Sequence, residues 1–204
     1  MKIITLEQKS KPWLDWRSQG IGGSDVAAIM GLSPYATREQ LLQEKLGFAK
    51  REENYKMRRG DAMEATARIL AEKHLQMSLF PACAEHDEIP WARCSFDGIN
   101  RTRRTLVEIK APNKITHEKA LDWKLLEPYY RVQCQYQMFV ANYESCFYCS
   151  LSANDIFSEA EKFVMFGVQE DAEEQAAIIE ACESFWAELQ EARSGKTVLV
   201  GGEE

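Results

Sequence analysis

The sequence has no apolar run long enough to cross a bilayer and no charged leader followed by an apolar segment. It also has no internal repeat, no low-complexity tract and no long linker. At 204 residues and 45% hydrophobic composition, the chain is long enough to bury a sizeable core. These features predict a cytoplasmic protein in which residues 1–204 form a single domain.

The sequence is also poor in the residue patterns that hold zinc or iron–sulfur clusters. His74, His86 and His117 are isolated, and the six cysteines are scattered through apolar segments, as is typical of reduced thiols. Cys146 and Cys149 form a Cys-x-x-Cys pair, but positions three apart on a strand face opposite ways. Without a second pair, this motif does not predict a metal site.

Positive charge is scarce overall but is unevenly distributed. The formal net charge is −7, and residues 155–204 contain 3 basic and 13 acidic residues. Residues 1–154, by contrast, contain 22 basic and 19 acidic residues, so this part is mildly basic. The acidic segment at about residues 170–193 has apolar residues at helical spacing, which predicts an amphipathic helix that packs on the domain or on a neighbouring subunit.

Two groups of basic residues lie in predicted loops, where either group could contact phosphates. A solvated loop explains the first group equally well and the second group less well. The first group is Lys50, Arg51, Lys56, Arg58 and Arg59, and the second is Arg101, Arg103 and Arg104.

The most informative motif consists of a strand that contains Asp97, a short basic turn, and a second strand that contains Glu108 and Lys110. Period-two alternation places Glu108 and Lys110 on one face of the second strand, and the hairpin brings Asp97 beside Glu108. Two converging carboxylates repel each other unless a cation lies between them, and an all-oxygen site suits Mg²⁺ or Mn²⁺. The alternative is an exposed hairpin with a surface Glu/Lys pair, because short motifs recur by chance.

Two predicted helices add further polar candidates. Glu64 lies in the first turns of an apolar-periodic segment and is a candidate third carboxylate, although a Glu near a positive helix end is also common. Gln135 lies on the apolar side of the predicted helix over Tyr129–Val140. A glutamine among apolar residues needs partners, which a nucleophilic water, a DNA phosphate or neighbouring backbone would supply.

A glycine-rich segment near the N-terminus suits the binding of a phosphate. Glycines at positions 20, 22 and 23 let backbone amides approach an anion, and Ser24 is expected to cap a helix over residues 25–30. Arg17 lies nearby, and an arginine beside a helix N-terminus favours a phosphate. The same pattern is also the ordinary signature of a turn that enters a helix. A nucleotide P-loop is excluded, since no Gly-Lys-Ser/Thr follows.

The motifs and their order resemble the phage-type recombination exonucleases related to lambda exonuclease. The resemblance covers about residues 10–140 and depends on five segments, Trp13–Tyr35, Gly60–Glu64, Ser95–Gly98, Glu108–Lys110 and Gln133–Tyr136. It implies membership of the PD-(D/E)XK nuclease superfamily. The implied fold is an α/β restriction-endonuclease-like core, in which a mixed β-sheet is flanked by helices.

The resemblance also implies an activity and a set of partners. The implied activity is Mg²⁺-dependent 5′-to-3′ digestion of one strand of linear duplex DNA, which leaves 3′ single-stranded overhangs, with Mn²⁺ as a possible substitute. Family members typically form ring-shaped homotrimers and work beside a single-strand annealing protein. The implied setting is the cytoplasm of a bacterial host, where a phage or prophage encodes the protein.

Residue roles carry over from the resemblance position by position. The implied metal ligands are Asp97, Glu108 and the Ile109 carbonyl, with Glu64 for a second metal. The implied catalytic lysine is Lys110, the implied partner of a water or phosphate is Gln135, and the implied 5′-phosphate pocket contains Arg17 and Ser24.

Two other functions stay open at the level of sequence. A restriction-type endonuclease on the same core would read a DNA sequence and would need no end-binding pocket. A DNA-end-binding or assembly module would bind without cutting, although the complete set of Asp97, Glu108, Lys110 and Glu64 argues against this.

Overall fold

A computed structural model describes residues 1–49 and 55–195 of the chain. Its strands are β1 (Lys2–Ile4), β2 (Ile21–Gly22), β3 (Phe80–Glu85), β4 (Ala92–Asn100), β5 (Thr105–Lys110), β6 (Ser145–Leu151) and β7 (Phe163–Gln169). Its α-helices are α1 (Lys11–Ser18), α2 (Val26–Ile29), α3 (Arg38–Leu46), α4 (Tyr55–Leu75), α5 (Lys114–Trp123), α6 (Pro128–Ala141) and α7 (Ala172–Arg193). A short 3₁₀ helix over Gly23–Asp25 precedes α2.

All of these strands belong to one mixed sheet with the order β1-β3-β4-β5-β6-β7, and β2 pairs separately with β4. The β5–β6 and β2–β4 pairs are parallel, whereas the remaining neighbours are antiparallel. The predicted α/β fold with a mixed sheet flanked by helices is therefore confirmed. The structure adds that most of its strand pairs are antiparallel.

Helices cover both faces of the sheet, and each face has its own apolar cluster. Leu106 and Cys146 pack in the cluster that contains the apolar residues of α2, α6 and α7. Val107, Ile109 and Cys149 pack on the opposite face with the alanines of α4. The alternation along β5 thus follows the prediction, and the two cysteines face opposite ways as expected.

The helix boundaries follow from local capping. Thr37 begins α3 by accepting a hydrogen bond from the Gln40 amide, and Gly47 ends the helix with a left-handed φ of 83°. Pro128 occupies the first turn of α6, where a missing amide hydrogen costs nothing. Each of these signals is local to its own helix.

The C-terminal helix α7 lies within the acidic segment. Its buried residues, Ile178, Cys182, Phe185 and Leu189, form one stripe along the helix. Through this stripe α7 packs on α2, α3 and α6 of the same chain. Within residues 1–49 and 55–195, no helix combines the length and the apolar character needed to span a bilayer.

Gly20 allows a close approach between the end of α1 and β4. A Cβ atom at this position would lie 2.6 Å from the Trp91 carbonyl oxygen. This oxygen accepts a hydrogen bond from the Ile21 amide at 2.8 Å and therefore cannot easily move.

We expect Gly20→Ala to lower the free energy of unfolding by about 1–3 kcal/mol, measured by chemical denaturation. Gly60→Ala in α4 is the control, because its Cβ meets nothing within 4 Å. This control should gain about 0.5–1 kcal/mol, and equal effects in the two variants would contradict the packing argument.

Candidate active site

Asp97 lies where β4 and β5 separate. The hydrogen-bonded ladder pairs residues 98–100 with residues 105–107 and stops there. Beyond it, the Asp97 Oδ2 atom accepts a hydrogen bond from the Ile109 amide at 2.8 Å. The carboxylate therefore replaces a backbone acceptor and holds the end of β5 beside β4. This places Asp97 next to Glu108, as the hairpin predicts.

The Glu108 side chain does not face solvent, so the alternative of an exposed surface Glu/Lys pair does not hold. It is 0% exposed, and α6 covers it. Its Oε1 atom accepts from Gln133 Nε2 at 2.6 Å, and its Oε2 atom accepts from Gln137 Nε2 at 2.5 Å. Lys110 forms an ion pair with Oε1. Both oxygens of this buried carboxylate thus have donors, as burial of a charge requires.

Gln135 does not join this cluster, so its expected role there as the partner of a water or phosphate is corrected, and the alternative of hydrogen bonds to backbone is the one found. It is 0% exposed, and its Nε2 atom donates to the Gln169 carbonyl at 2.9 Å. Its Oε1 atom accepts from the Asp171 amide at 3.1 Å. Residues two apart on a helix point to nearly opposite sides, whereas residues four apart share a side. Gln133 and Gln137 are therefore the glutamines of the site, and their spacing was the signal available in the sequence.

Lys110 is held as a cation. Burial alone would lower the pKa of its ammonium group, but the nearby carboxylates of Glu108 and Asp97 outweigh burial and raise it. The ammonium also lies 5.5 Å from the centre of the Tyr130 ring, an arrangement that favours a positive charge. With 23% of its side chain exposed, Lys110 can reach a bound molecule. In this protonated state Lys110 can donate hydrogen bonds to negatively charged groups, and it cannot act as a base.

The carboxyl group of Asp97 is buried and lies near two other carboxylates. Its pKa lies well above the usual range, mainly because burial disfavours the ionised form and because Glu108 and Glu64 add negative charge. Lys110 and the Ile109 amide lower it, but not enough to compensate. A hard divalent cation would relieve this repulsion and prefers carboxylate oxygens. The types of donor present, although not their spacing in this structure, therefore suit such a cation.

Glu64 reaches this cluster from α4. Arg68 donates both to the Glu64 Oε1 atom and to the backbone carbonyl of Asp97, which ties the helix to β4. Lys9 lies 3.8 Å from the Glu64 Oε2 atom. In these positions, no three metal-binding side chains of the described residues are gathered closely enough to hold an ion. The Ile109 amide faces Asp97, and a role for the Ile109 carbonyl stays a prediction.

The glycine-rich segment forms a turn whose cap differs from the expected one. Ser24 is exposed within the 3₁₀ helix, and Asp25 closes the turn by accepting from the Gly22 amide at 2.9 Å. Ser24 is therefore not the helix cap. Its hydroxyl instead accepts a hydrogen bond from Arg17 at the end of α1. The Arg17 guanidinium also lies 5.1 Å from the centre of the Trp13 ring.

One cleft of about 190 Å³ connects this turn with the carboxylates. Its lining includes five of the residues singled out in the sequence, Arg17, Ser24, Glu64, Asp97 and Lys110. Other polar side chains also line it, among them Gln133 and Ser95, which lie in the quoted motif segments without a role assigned to them, and Gln137, which was missed. Ser95 lies two residues before Asp97 on the same face of β4, a spacing that could have identified it. Its hydroxyl accepts from the Trp13 indole at 2.8 Å.

The second basic group does not line the cleft. Arg101, Arg103 and Arg104 are exposed in the β4–β5 turn, at the opposite end of the hairpin ladder from Asp97. Arg104 donates to the Asn142 carbonyl and lies over the Tyr143 ring. The first group, from Lys50 to Arg59, lies outside the described residues and side chains.

Comparison with known proteins agrees with the fold and with the resemblance. The YqaJ-like viral recombinase domain matches residues 12–144, which is more than half of the chain. The protein therefore belongs to the family of YqaJ-like viral recombinase domains. A search of curated protein sequences found no match.

Solved structures with the same fold include the alkaline exonuclease LHK-Exo from Laribacter hongkongensis. This structure is 25% identical, has a TM-score of 0.76, and the alignment covers 89% of this chain and 93% of that one. LHK-Exo in complex with dAMP is 24% identical with a TM-score of 0.77, and the coverages are 92% and 99%. A phage-related exonuclease from Haemophilus somnus 129PT is 15% identical with a TM-score of 0.65, and the coverages are 87% and 96%.

The repulsion around Asp97 leads to a prediction about stability. Because the pKa of Asp97 is raised above 3.8, its ionised form opposes folding at neutral pH. We expect Asp97→Asn to raise the melting temperature at pH 7 in metal-free buffer. This gain should shrink as the pH falls and disappear below pH 3.8, where the wild-type carboxyl is protonated in both the folded and the unfolded state. The exposed Asp122→Asn is the control and should change stability by no more than about 0.5 kcal/mol. A lower melting temperature for Asp97→Asn would contradict this account.

Proposed function

We propose that this protein is an Mg²⁺-dependent exonuclease that digests one strand of linear duplex DNA from 5′ to 3′. The products are duplexes with 3′ single-stranded overhangs. The observation that supports this most directly is the shared cleft, in which Arg17 and Ser24 face Asp97, Glu64 and Lys110. A phosphate held at one end of this cleft leaves the neighbouring part of a DNA strand close to the carboxylates.

The relatives support the class of reaction. Two of the similar structures are described as exonucleases, one alkaline and one phage-related. The family is described as a viral recombinase domain. An exonuclease that prepares single strands is compatible with both descriptions.

Asp97 and Glu108 are the proposed ligands of the cation, with Mn²⁺ as a substitute for Mg²⁺, and Glu64 would serve a second ion. When bound, the cation would neutralise charge on the scissile phosphate and acidify a water molecule. Gln133 and Gln137 orient the Glu108 carboxylate by donating one hydrogen bond to each of its oxygens. The carboxylate is thereby fixed before substrate arrives, which lowers the reorganisation needed during the reaction.

Lys110 is the proposed source of positive charge from the protein beside the reacting phosphate. Its ammonium group stays protonated because Glu108 and Asp97 raise its pKa. From the lining of the cleft it can donate a hydrogen bond to the attacking water or to the negative charge that develops on the phosphate. The proposed role of Lys110 is therefore electrostatic stabilisation.

Arg17 and Ser24 are the proposed ligands of the terminal 5′-phosphate. A guanidinium can donate two hydrogen bonds to phosphate oxygens, and the exposed Ser24 hydroxyl adds a donor. Ser95 lines the same cleft and adds a second hydroxyl. Each cleavage exposes a new 5′-phosphate that moves into this pocket. The pocket would therefore set the direction of digestion.

The proposed assembly is a ring-shaped homotrimer. It would work beside a single-strand annealing protein in the bacterial cytoplasm, where a phage or prophage encodes it. The unequal charge distribution supports this arrangement, since the mildly basic part can face DNA and the acidic α7 can face away from it. Sedimentation equilibrium would give three chains per particle. A monomer at micromolar concentration would rule out the ring.

The activity itself gives a prediction that also separates the alternative functions. With Mg²⁺, the wild type should destroy linear duplex DNA and leave closed circular duplex intact. An endonuclease would open both substrates, and a binding module would change neither.

Lys110→Ala should lower turnover on linear duplex by at least about a hundredfold, because one strong transition-state contact is lost. Lys119→Ala is the control, since Lys119 pairs with Glu127 at 2.7 Å outside the cleft. Near-normal turnover of Lys110→Ala would contradict its assignment.

The phosphate pocket gives a second prediction. Wild-type protein should digest ends with a 5′-phosphate faster than ends with a 5′-hydroxyl. Arg17→Ala should shrink this rate ratio by about tenfold to a hundredfold, the equivalent of one charged hydrogen bond. Arg38→Ala is the control, because Arg38 pairs with Glu188 away from the cleft. An unchanged ratio in Arg17→Ala would place the terminal phosphate elsewhere.

A further inference from the structure

A buried ion pair lies directly behind the proposed phosphate pocket. The Lys45 Nζ atom of α3 is 2.7 Å from the Asp25 Oδ2 atom, and the two side chains are 5% and 3% exposed. Transfer of two charges from water into a protein interior is costly, and apolar side chains of similar size often stabilise a fold as well. The ion pair is therefore weak evidence for a purely stabilising role, and its neighbours point to another.

Asp25 lies between two cations but contacts them unequally. Its Oδ2 atom accepts from Lys45 and from the Gly22 amide, whereas its Oδ1 atom is 3.7 Å from Arg17 Nη2, beyond hydrogen-bond distance. Arg17 gives its hydrogen bond to the Ser24 hydroxyl instead. Charge attraction weakens with distance, so Lys45 is the main counter-ion of Asp25.

Lys45 is fixed in this position by the backbone. Its ammonium group donates to the Gly20 carbonyl at 2.8 Å and to the Arg17 carbonyl at 3.2 Å. Burial raises the pKa of Asp25, but Lys45 and Arg17 together lower it to about 2. Asp25 is therefore ionised at neutral pH and requires a counter-ion under the conditions in which the protein works.

The charge of this group depends on Lys45. With Lys45 present, the three side chains carry one net positive charge, and it lies on Arg17 in the cleft lining. Among the residues that the structure describes, Lys45 and Arg17 are the cations in ion-pair contact with Asp25. If Lys45 lost its charge, Arg17 would become the partner of a buried carboxylate, and the net charge would fall to zero.

We propose that Lys45 is a positioning residue that neutralises Asp25 and thereby keeps the Arg17 guanidinium available for the terminal phosphate of a DNA end. This role rests on the proposed function, in which Arg17 binds that phosphate. Lys45 does not line the cleft, so it would act on the phosphate through Asp25 and Arg17 and not by contact. Removal of its charge therefore weakens recognition of the phosphate, and removal of the competing carboxylate restores it.

The test measures the ratio of initial rates on duplex ends with a 5′-phosphate and with a 5′-hydroxyl. In Lys45→Met this ratio falls by about tenfold or more, because Asp25 draws Arg17 out of the pocket. In the double variant Lys45→Met/Asp25→Asn the ratio returns toward the wild-type value, since a neutral amide does not compete for Arg17. Lys119→Met is the matched control, because it removes a lysine that also pairs with a carboxylate at 2.7 Å, and it leaves the ratio unchanged.

A wild-type ratio in Lys45→Met overturns the proposal, and so does a double variant with a ratio as low as that of Lys45→Met. If Lys45→Met does not fold, the double variant, in which both members of the buried pair are uncharged, decides: a rate ratio like that of the wild type supports the proposal, and loss of the phosphate preference overturns it. A wild-type protein without any phosphate preference would overturn the pocket itself and the role of Lys45 with it. If the wild type prefers 5′-phosphate ends and Lys45→Met keeps the same preference, only the proposed role of Lys45 is overturned.

Discussion

The buried carboxylate of Glu108 is the group on which the arrangement of the cleft depends. A charge with 0% exposure requires several donors, and the structure supplies them from two directions. Gln133 and Gln137 donate from α6, and Lys110 pairs with Glu108 from the same strand. These bonds fix the distance between β5 and α6. They also explain why a polar face of a central helix can be buried against a central strand.

The cleft contains two centres of opposite charge. Around Asp97, burial and the carboxylates of Glu108 and Glu64 raise the pKa of Asp97. Around Asp25 the cations are in excess, which lowers the pKa of Asp25 to about 2. A negatively charged strand can occupy such a cleft if its terminal phosphate meets the positive centre and a cation accompanies it at the negative centre. The same division of charge supports an enzyme that acts on ends.

Local patterns predicted much of this arrangement, but not the position of Gln135 or the role of Lys45. The alternation along β5 and the hairpin to β4 are period-two signals, so the proximity of Asp97 and Glu108 followed from them. The position of Gln135 was wrong because the apolar face of α6 was assigned without knowledge of which side meets β5 and which meets β7. Lys45 carries no local signal at all, since its partner Asp25 comes from a distant turn. Contacts between elements decide such cases, and spacing within one element does not contain them.

Helix α6 also explains how the two centres keep a fixed separation. Gln133 and Gln137 hold Glu108 on one side, and the Tyr136 hydroxyl donates to the Ile21 carbonyl at 2.8 Å on another. A Cβ atom at Gly23 would lie 3.4 Å from the Gln137 side chain, so the turn packs directly on this helix. One rigid helix therefore contacts both the turn that presents Ser24 and the strand that presents the carboxylates. The spacing between a bound end and the reacting bond would then be set by a single secondary-structure element, which is more accurate than a spacing set by two loops.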